Sequence, residues 1–363
     1  MATIELKQIV KKFGEAYAVK PLDLTINKGE FVVLLGPSGC GKTTTLRMIS
    51  GLEAVTSGNI TFDGKDVTWL HPSERDIAFV FQFFALYSHL TARDNIAFPL
   101  QAQRVPRPEI KQRVQDVAQM LKIEHLLDQR PGSLSGGDQQ RIALARALVR
   151  KPAAFLMDEP LGALDAEFRE SMRAEIKNLH LSQEATTVYV THDQVEAMAM
   201  GDKIVVMSAA EVQQAATPQE VYNNPANLFV ARFIGSPGMN LIMGTYQDGS
   251  VNLGRSRYPV PAVWKPTLES NLGADGSVIV GFRPEAVRVG SDKPIQAVNY
   301  ATDMHGGYTM LHLQLDADTI IHARASRESR YQLSEQVHFD LDPTMVRFFH
   351  PQTEKALHLN GRV

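Results

Sequence analysis

Gly36-Pro37-Ser38-Gly39-Cys40-Gly41-Lys42-Thr43 meets the pattern G-x-x-x-x-G-K-[ST], and the chemistry those residue types serve is phosphate binding. The glycines allow backbone angles that turn successive N–H groups inward. A helix opening at the loop adds its positive end, and Lys42 brings a mobile cation to the β and γ phosphates. The hydroxyl of Thr43 then falls where Mg²⁺ would sit. Asp158-Glu159 closes an apolar run, which puts two carboxylates where parallel strands deliver site residues. They divide the work: Asp158 holds Mg²⁺ through water, and Glu159 polarises the attacking water toward the γ phosphate. His192 follows another apolar run and can reach the γ phosphate through a ring N–H. Gln82 follows a third, where it can sense both Mg²⁺ and the lytic water. Taken singly, each feature has a plainer reading: a glycine-rich turn with an incidental lysine, an acidic end to a buried strand, a surface histidine. Their shared place after strands argues for one site.

The elements that must position these groups are legible as short β-branched runs. Strands are expected at Phe31–Leu35, Ile77–Phe81, Ala153–Met157, Thr187–Thr191 and Lys203–Met207, alternating with helical stretches, one of which opens in the phosphate loop and runs through Met48. That alternation predicts an α/β layer on a mostly parallel sheet. Between about 88 and 150 the strand signal gives way to helical spacing, as in PEIKQRVQDVAQMLKIEHLL, so a helical insertion is expected there. Gly235-Ser236-Pro237-Gly238 is a turn-rich break and is read as the domain boundary, dividing 1–235 from 236–363. Beyond it, alternating runs such as SVIVGF, TMLHLQLD and TIIHARA predict a small antiparallel β domain or barrel.

Composition narrows the partners. The 363 residues suit two domains rather than one core. A net charge of −3 offers no basic footprint, so nucleic acid is not expected as a partner. Cys40 is the single cysteine, which rules out an internal disulfide and a cysteine-based zinc site and fits a reducing, cytosolic setting. No apolar run has the length of a membrane span and the N-terminus carries no export signal, so any membrane role is expected to come through another chain.

Leu134-Ser135-Gly136-Gly137, followed by DQQRIALARAL, completes the pattern. A serine N-cap before two glycines exposes N–H groups that bind an anion, a second phosphate device in the same chain. With these motifs the chain resembles the ABC transporter ATPases, most closely those of sugar and glycerophosphate importers of the maltose type. The resemblance implies a P-loop (RecA-like) ABC ATPase domain with a helical subdomain, followed by an all-β, OB-like regulatory or dimerisation domain. FIGSPGMNLI, GFRPEAVRV and DPTMVRFFHPQTEKAL carry it into the C-terminal region. It further implies ATP and Mg²⁺ as cofactors and a head-to-tail dimer with a second copy or a paralogue. The partner would be an integral-membrane permease, served by an extracytoplasmic solute-binding protein, with this chain peripheral at the cytoplasmic face of the inner membrane. Each nucleotide would lie between Gly36–Thr44, including Thr44 itself, of one protomer and Ser135, Gly136 and Gly137 of the other. By the same resemblance Asp165 links the two sites and Phe13 stacks on adenine, unless Phe13 is a routine strand-edge aromatic.

The family's fifth signature residue is usually glutamine, whereas this chain has Asp138, whose charge is expected to weaken nucleotide affinity. Among the aromatics of Phe79–Tyr87, Phe79 and Phe81 are read as core, while Phe83, Phe84 and Tyr87 would line the groove for a permease helix; a core role for all five is the alternative. Two other functions stand beside transport: a soluble ABC-type ATPase that remodels a complex, and a regulatory module whose C-terminal domain sequesters another protein.

Overall fold

A computed structural model of the chain describes residues 2–359, apart from 151, 163 and 165. It divides into two compact units, Met1–Pro218 and Gln219–Val363.

In the first unit, β1 (Ile4–Phe13) and β2 (Ala16–Ile26) form a long antiparallel pair, with β3 (Phe31–Leu35) following. β4 (Ser57–Phe62) and the short β5 (Lys65–Asp66) join β1 and β2 in a four-stranded sheet of order β2-β1-β4-β5. β6 (Ile77–Val80), β7 (Ala154–Asp158), β8 (Thr187–Thr191), β9 (Lys203–Ser208) and β10 (Glu211–Ala216) complete a second sheet of order β10-β9-β3-β8-β7-β6. Its pairs β3–β9, β3–β8, β7–β8 and β6–β7 are parallel, and only β10 runs against its neighbour. Every residue of β3, β7 and β8 is buried, which is why they read as unbroken apolar runs rather than alternating ones. Ile4, Ile26, Leu34, Ile49, Leu156, Val188 and Met207 share one core cluster between the sheets.

Helix α1 (Lys42–Ser50) follows β3 directly. Arg75 fixes its far end: buried, it donates to the carbonyl of Met48, which also accepts from the cap Gly51 N, and to that of Ile49 in the helix's last turn. The helical stretch comprises α2 (Ala92–Ala102), α3 (Arg107–Met120) and α4 (Gly136–Leu148). Thr91 caps α2, and Ser135 caps α4. α5 (Ala166–Gln183) and α6 (Gln194–Met200) flank β8 in sequence.

The second unit holds two five-stranded antiparallel sheets. One takes the strands Ser256–Pro259, Ser250–Leu253, Asn240–Gln247, Ser277–Phe282 and Val346–Phe349 in that spatial order; the other takes Val287–Val289, Gln336–Leu341, Ile295–Met304, Tyr308–Gln314 and Ile320–Ser326. Val251, Val280, Phe282, Leu311, Leu313, Phe339 and Phe348 lie in one shared core. The division after Pro218 precedes the Gly235–Gly238 break, and Arg283 supplies the reason. Buried in this unit, its guanidinium donates to the carbonyls of Tyr222, Ala231 and Ile234, binding the segment before the break to the β structure after it.

Candidate functional site

The carboxyl ends of four neighbouring strands, β3, β8, β7 and β6, carry the phosphate loop, His192, Asp158-Glu159 and Gln82 respectively. Order in the sheet, not order in the chain, makes them neighbours.

In the loop, Gly39 has φ 77° and Gly41 φ 103°, both in the left-handed region that side chains avoid. A Cβ on Gly41 would lie 2.5 Å from the carbonyl oxygen of Ala18, so any larger residue would displace the hairpin beside it. Ser38 and Gly39 stay exposed at the loop's outer turn, and Thr44 is half-buried in the first turn of α1. Lys42 is 5% exposed, its Nζ donating to the carbonyls of Gly36 at 2.8 Å and Pro37 at 2.9 Å. The ammonium thus lies across the loop instead of pointing to solvent. Cys40 is buried, with Sγ 3.8 Å from the same Nζ.

Thr43 Oγ1 donates to Asp158 Oδ1 at 2.9 Å, tying α1 to the end of β7. Burial pushes the Asp158 carboxyl above its ordinary value against the pull of the Thr43 bond, and the nearby Glu159 charge adds to the rise. A hydroxyl beside a buried carboxylate, with an amide oxygen available on Gln82, is a hard-oxygen donor set that suits Mg²⁺.

Glu159 sits at φ 43°, a left-handed conformation that costs a non-glycine residue about 1–2 kcal/mol. The turn is held because Glu159 N donates to Val190 O at 3.0 Å and Gly162 N donates to Glu159 O at 3.1 Å. On its side chain, Oε2 accepts from Gln82 Nε2 at 3.1 Å, and Oε1 lies 3.4 Å from His192 Nδ1. The structure therefore brings Glu159, Gln82 and His192 together, and Thr43 and Asp158 together, in the same row of strand ends.

Ser135 caps α4 with its Oγ accepting from Asp138 N at 3.2 Å, and its hydroxyl proton is directed to Asp138 Oδ2 at 2.7 Å. Gly136 and Gly137 form the helix's first turn. Phe13, at the end of β1, is 55% exposed with Lys11 Nζ 4.8 Å from its ring centroid, a flat surface open to stacking. Asp165 lies outside the described residues.

The aromatic segment differs in part from its reading. Phe79 packs half-buried against the core and Tyr87 borders a groove, as read, but Phe81, its ring tilted 4.4 Å from that of Phe79, also lines that groove of about 430 Å³ with Phe98 and Arg146. Phe83 is 80% exposed and Phe84 half-buried, and neither borders the groove. The cause is a tight turn: Phe84 and Ala85 have φ 35° and 51°, and Arg146 holds their carbonyls at 3.0 and 2.7 Å. One buried residue of the site escaped sequence reasoning altogether. Glu196 accepts from Tyr189 Oη at 2.8 Å and Thr191 Oγ1 at 2.7 Å, and with Glu159 and His192 it borders a cavity of about 30 Å³. Its only sequence signal is an acidic residue one helical turn after His192 in an otherwise apolar stretch.

Residues 19–162 match the ABC transporter family model, and residues 235–287 match the MalK OB fold domain. The chain is 46% identical over 373 residues to the trehalose/maltose import ATP-binding protein MalK of Thermococcus litoralis, covering 98% of this chain and all of that one. It is 43% identical to the sulfoquinovosyl glycerol transport ATP-binding protein SmoE of Agrobacterium fabrum, with 99% of this chain and all of that one covered. To the oligosaccharides import ATP-binding protein MsmX of Bacillus subtilis it is 42% identical, over 98% of this chain and 99% of the relative. Among solved structures it is similar to the dimeric post-hydrolysis state of the ATP-binding cassette MJ0796 bound to ADP and Pi. There the TM-score is 0.55 and the identity 36%, over 59% of this chain and 98% of that one. With a glycine-rich loop, a carboxylate pair and a histidine on adjacent strand ends, and kinship running the length of the chain, the protein belongs to the ABC transporter ATP-binding proteins of the group that MalK, UgpC and MsmX represent, and is an ATPase.

Proposed function

We propose that this ATPase drives uptake of a sugar, polyol or glycerophosphate-type solute, working as a head-to-tail dimer beneath a membrane permease. The observation that carries the reading is the position of Glu159, held between Gln82 and His192 beside the phosphate loop. In that reading Lys42 and the loop N–H groups bind the β and γ phosphates, and Phe13 stacks on the base. Thr43, Asp158 and Gln82 hold Mg²⁺, which when bound neutralises charge on the phosphates. Glu159 takes up hydrogen bonding from the attacking water and orients it in line with the γ phosphate. His192 donates to the γ phosphate, Ser135, Gly136 and Gly137 complete the site from the second protomer, and Asp165 links the two sites. Closing two cassettes around two nucleotides and reopening them after hydrolysis is the motion that a permease would follow.

No helix among the described residues is long and apolar enough to cross a membrane, and in this reading the permease is another chain. The groove between Phe81, Tyr87, Phe98 and Arg146 is where a cytoplasmic helix of that permease would seat. In the same reading the chain sits peripherally at the cytoplasmic face, and the C-terminal β unit would contribute dimer contacts or regulation. The relatives named for maltose, oligosaccharide and sulfoquinovosyl glycerol transport support the solute class.

The test is purification of the tagged chain from native membranes in mild detergent, with mass spectrometry and ATP turnover measured on what is recovered. Polytopic membrane proteins co-purifying with MgATP hydrolysis are expected. Recovery of soluble partners alone would overturn the transport reading while leaving the ATPase intact.

A further inference from the structure

The turn bearing His192 is enclosed by a ring of hydrogen bonds that closes on Glu196. Thr191 Oγ1 donates to Glu196 Oε2 at 2.7 Å and accepts from Asp193 N at 2.9 Å, so the hydroxyl is fixed in both roles. Asp193 Oδ1 in turn accepts from Val195 N at 2.7 Å and from Glu196 N at 3.3 Å, capping α6. The path therefore runs from the Glu196 carboxylate through Thr191 and Asp193 back to the Glu196 backbone. His192 is the residue between Thr191 and Asp193, and its own ring lies outside the ring of bonds, 61% exposed and 3.4 Å from Glu159.

Glu196 is otherwise a poor choice for its place. It is 3% exposed, and a carboxylate taken out of water is costly unless hydrogen-bonded. A buried acid that breaks the apolar pattern of its helix is the kind of local conflict that folds retain where function requires it. Here it accepts two hydroxyl donors on one oxygen, from Tyr189 in the strand and from Thr191 at the strand's end. It also borders the same small cavity as Glu159, Arg169 and His192. Arg169 steadies the ring from α5, with Nη1 3.8 Å from Asp193 Oδ2.

We infer that Glu196 is a positioning residue for ATP hydrolysis, holding the His192 turn through the Thr191 hydroxyl and the Asp193 backbone. The inference rests on the reading of His192 as the γ-phosphate contact. Tyr189 shares the carboxylate but does not lie on the path to His192, which gives the proposal its control.

The experiment measures steady-state ATP turnover, binding of a fluorescent ATP analogue, and thermal melting of the full-length chain and four variants. Thr191→Val keeps the shape and removes both bonds of the hydroxyl. We expect kcat to fall about 10- to 100-fold, the scale of a misplaced catalytic group, with KM within twofold and melting close to wild type. Glu196→Gln retains a carbonyl acceptor and should keep kcat within about threefold of wild type. Tyr189→Phe should hydrolyse at the wild-type rate. Wild-type kcat in Thr191→Val overturns the inference, as does an equal fall in Thr191→Val and Tyr189→Phe, which would mark the network as merely structural. His192→Ala separates this from the larger reading. If His192→Ala itself turns over normally, the site assignment fails; if it is slow while Thr191→Val is normal, only the positioning role fails.

Discussion

Gln82 Nε2 donates to Glu159 Oε2 at 3.1 Å, joining the turn after β6 to the turn after β7 through a single carboxylate. With His192 Nδ1 3.4 Å from the other oxygen, Glu159 is oriented from both sides. A carboxylate so held keeps acceptor capacity on each oxygen for a water, in an orientation that its two neighbours fix, which is what a general base needs. Glu159→Gln keeps the shape and the contact with Gln82 but cannot take a proton. ATP turnover should fall by about 10²-fold or more while nucleotide binding persists. Turnover at the wild-type rate, measured by phosphate release, would remove Glu159 from the reaction.

Asp138 should weaken nucleotide affinity through Ser135. The Ser135 hydroxyl donates to Asp138 Oδ2 at 2.7 Å, so the chain's own carboxylate already takes a donor that the γ phosphate of a second protomer would use. An added negative charge at this helix N-terminus also opposes an incoming anion. Asp138→Gln should therefore lower KM for ATP by about two- to fivefold, the factor that 0.3–1 kcal/mol makes, with the gain shrinking in high salt. Equal KM and kcat in the two proteins across salt concentrations would sink this account.

Coupling to a permease should be separable from hydrolysis at Phe98. Its ring is 40% exposed, 4.6 Å from that of Tyr87, and on the wall of the groove. Phe98→Glu places a charge where an apolar helix face would dock, at little cost to a side chain already facing water. Solute uptake in cells should be lost, whereas the purified chain should hydrolyse ATP within about twofold of wild type and melt normally. Uptake that survives the substitution would take the groove out of the coupling path.

How much of this could be read before the fold was known depended on burial. β3, β7 and β8 are covered on both faces, so their sequences are continuous apolar runs and their ends fall within a residue of where the pattern stops. The phosphate loop, Glu159 and His192 were legible because they follow those runs. β1 and β2 were not, since one face alternates with lysines and bulges shift the register between Leu6 and Lys12. The aromatics after Val80 misled for a related reason: a turn with two positive φ values breaks any periodicity, so Phe81 faces the groove and Phe83 the solvent. Glu196 was invisible because a glutamate near a helix start reads as an ordinary solvated charge. Only the fold, with its partners Tyr189 and Thr191, shows that it is buried and hydrogen-bonded.

Glu196 also makes a prediction about acidity and stability. Burial raises its carboxyl above the ordinary 4.5, and the Asp193 charge raises it further, while hydrogen bonds from Thr191 and Tyr189 and the Arg169 charge pull it back. An acid whose pKa is raised on folding binds its proton more tightly in the native state, so the native state loses stability as pH rises from the unfolded value through the folded one. Above that window the deficit is constant; below it there is none. Glu196→Gln cannot ionise and escapes the loss. At neutral pH the variant's first unit should therefore melt above wild type. The difference should close as pH is lowered through and below 4.5, where the wild-type carboxyl is protonated in both states. Melting curves of the two proteins across this range decide it: a separation that stays the same at every pH would mean that the Glu196 charge does not bear on stability.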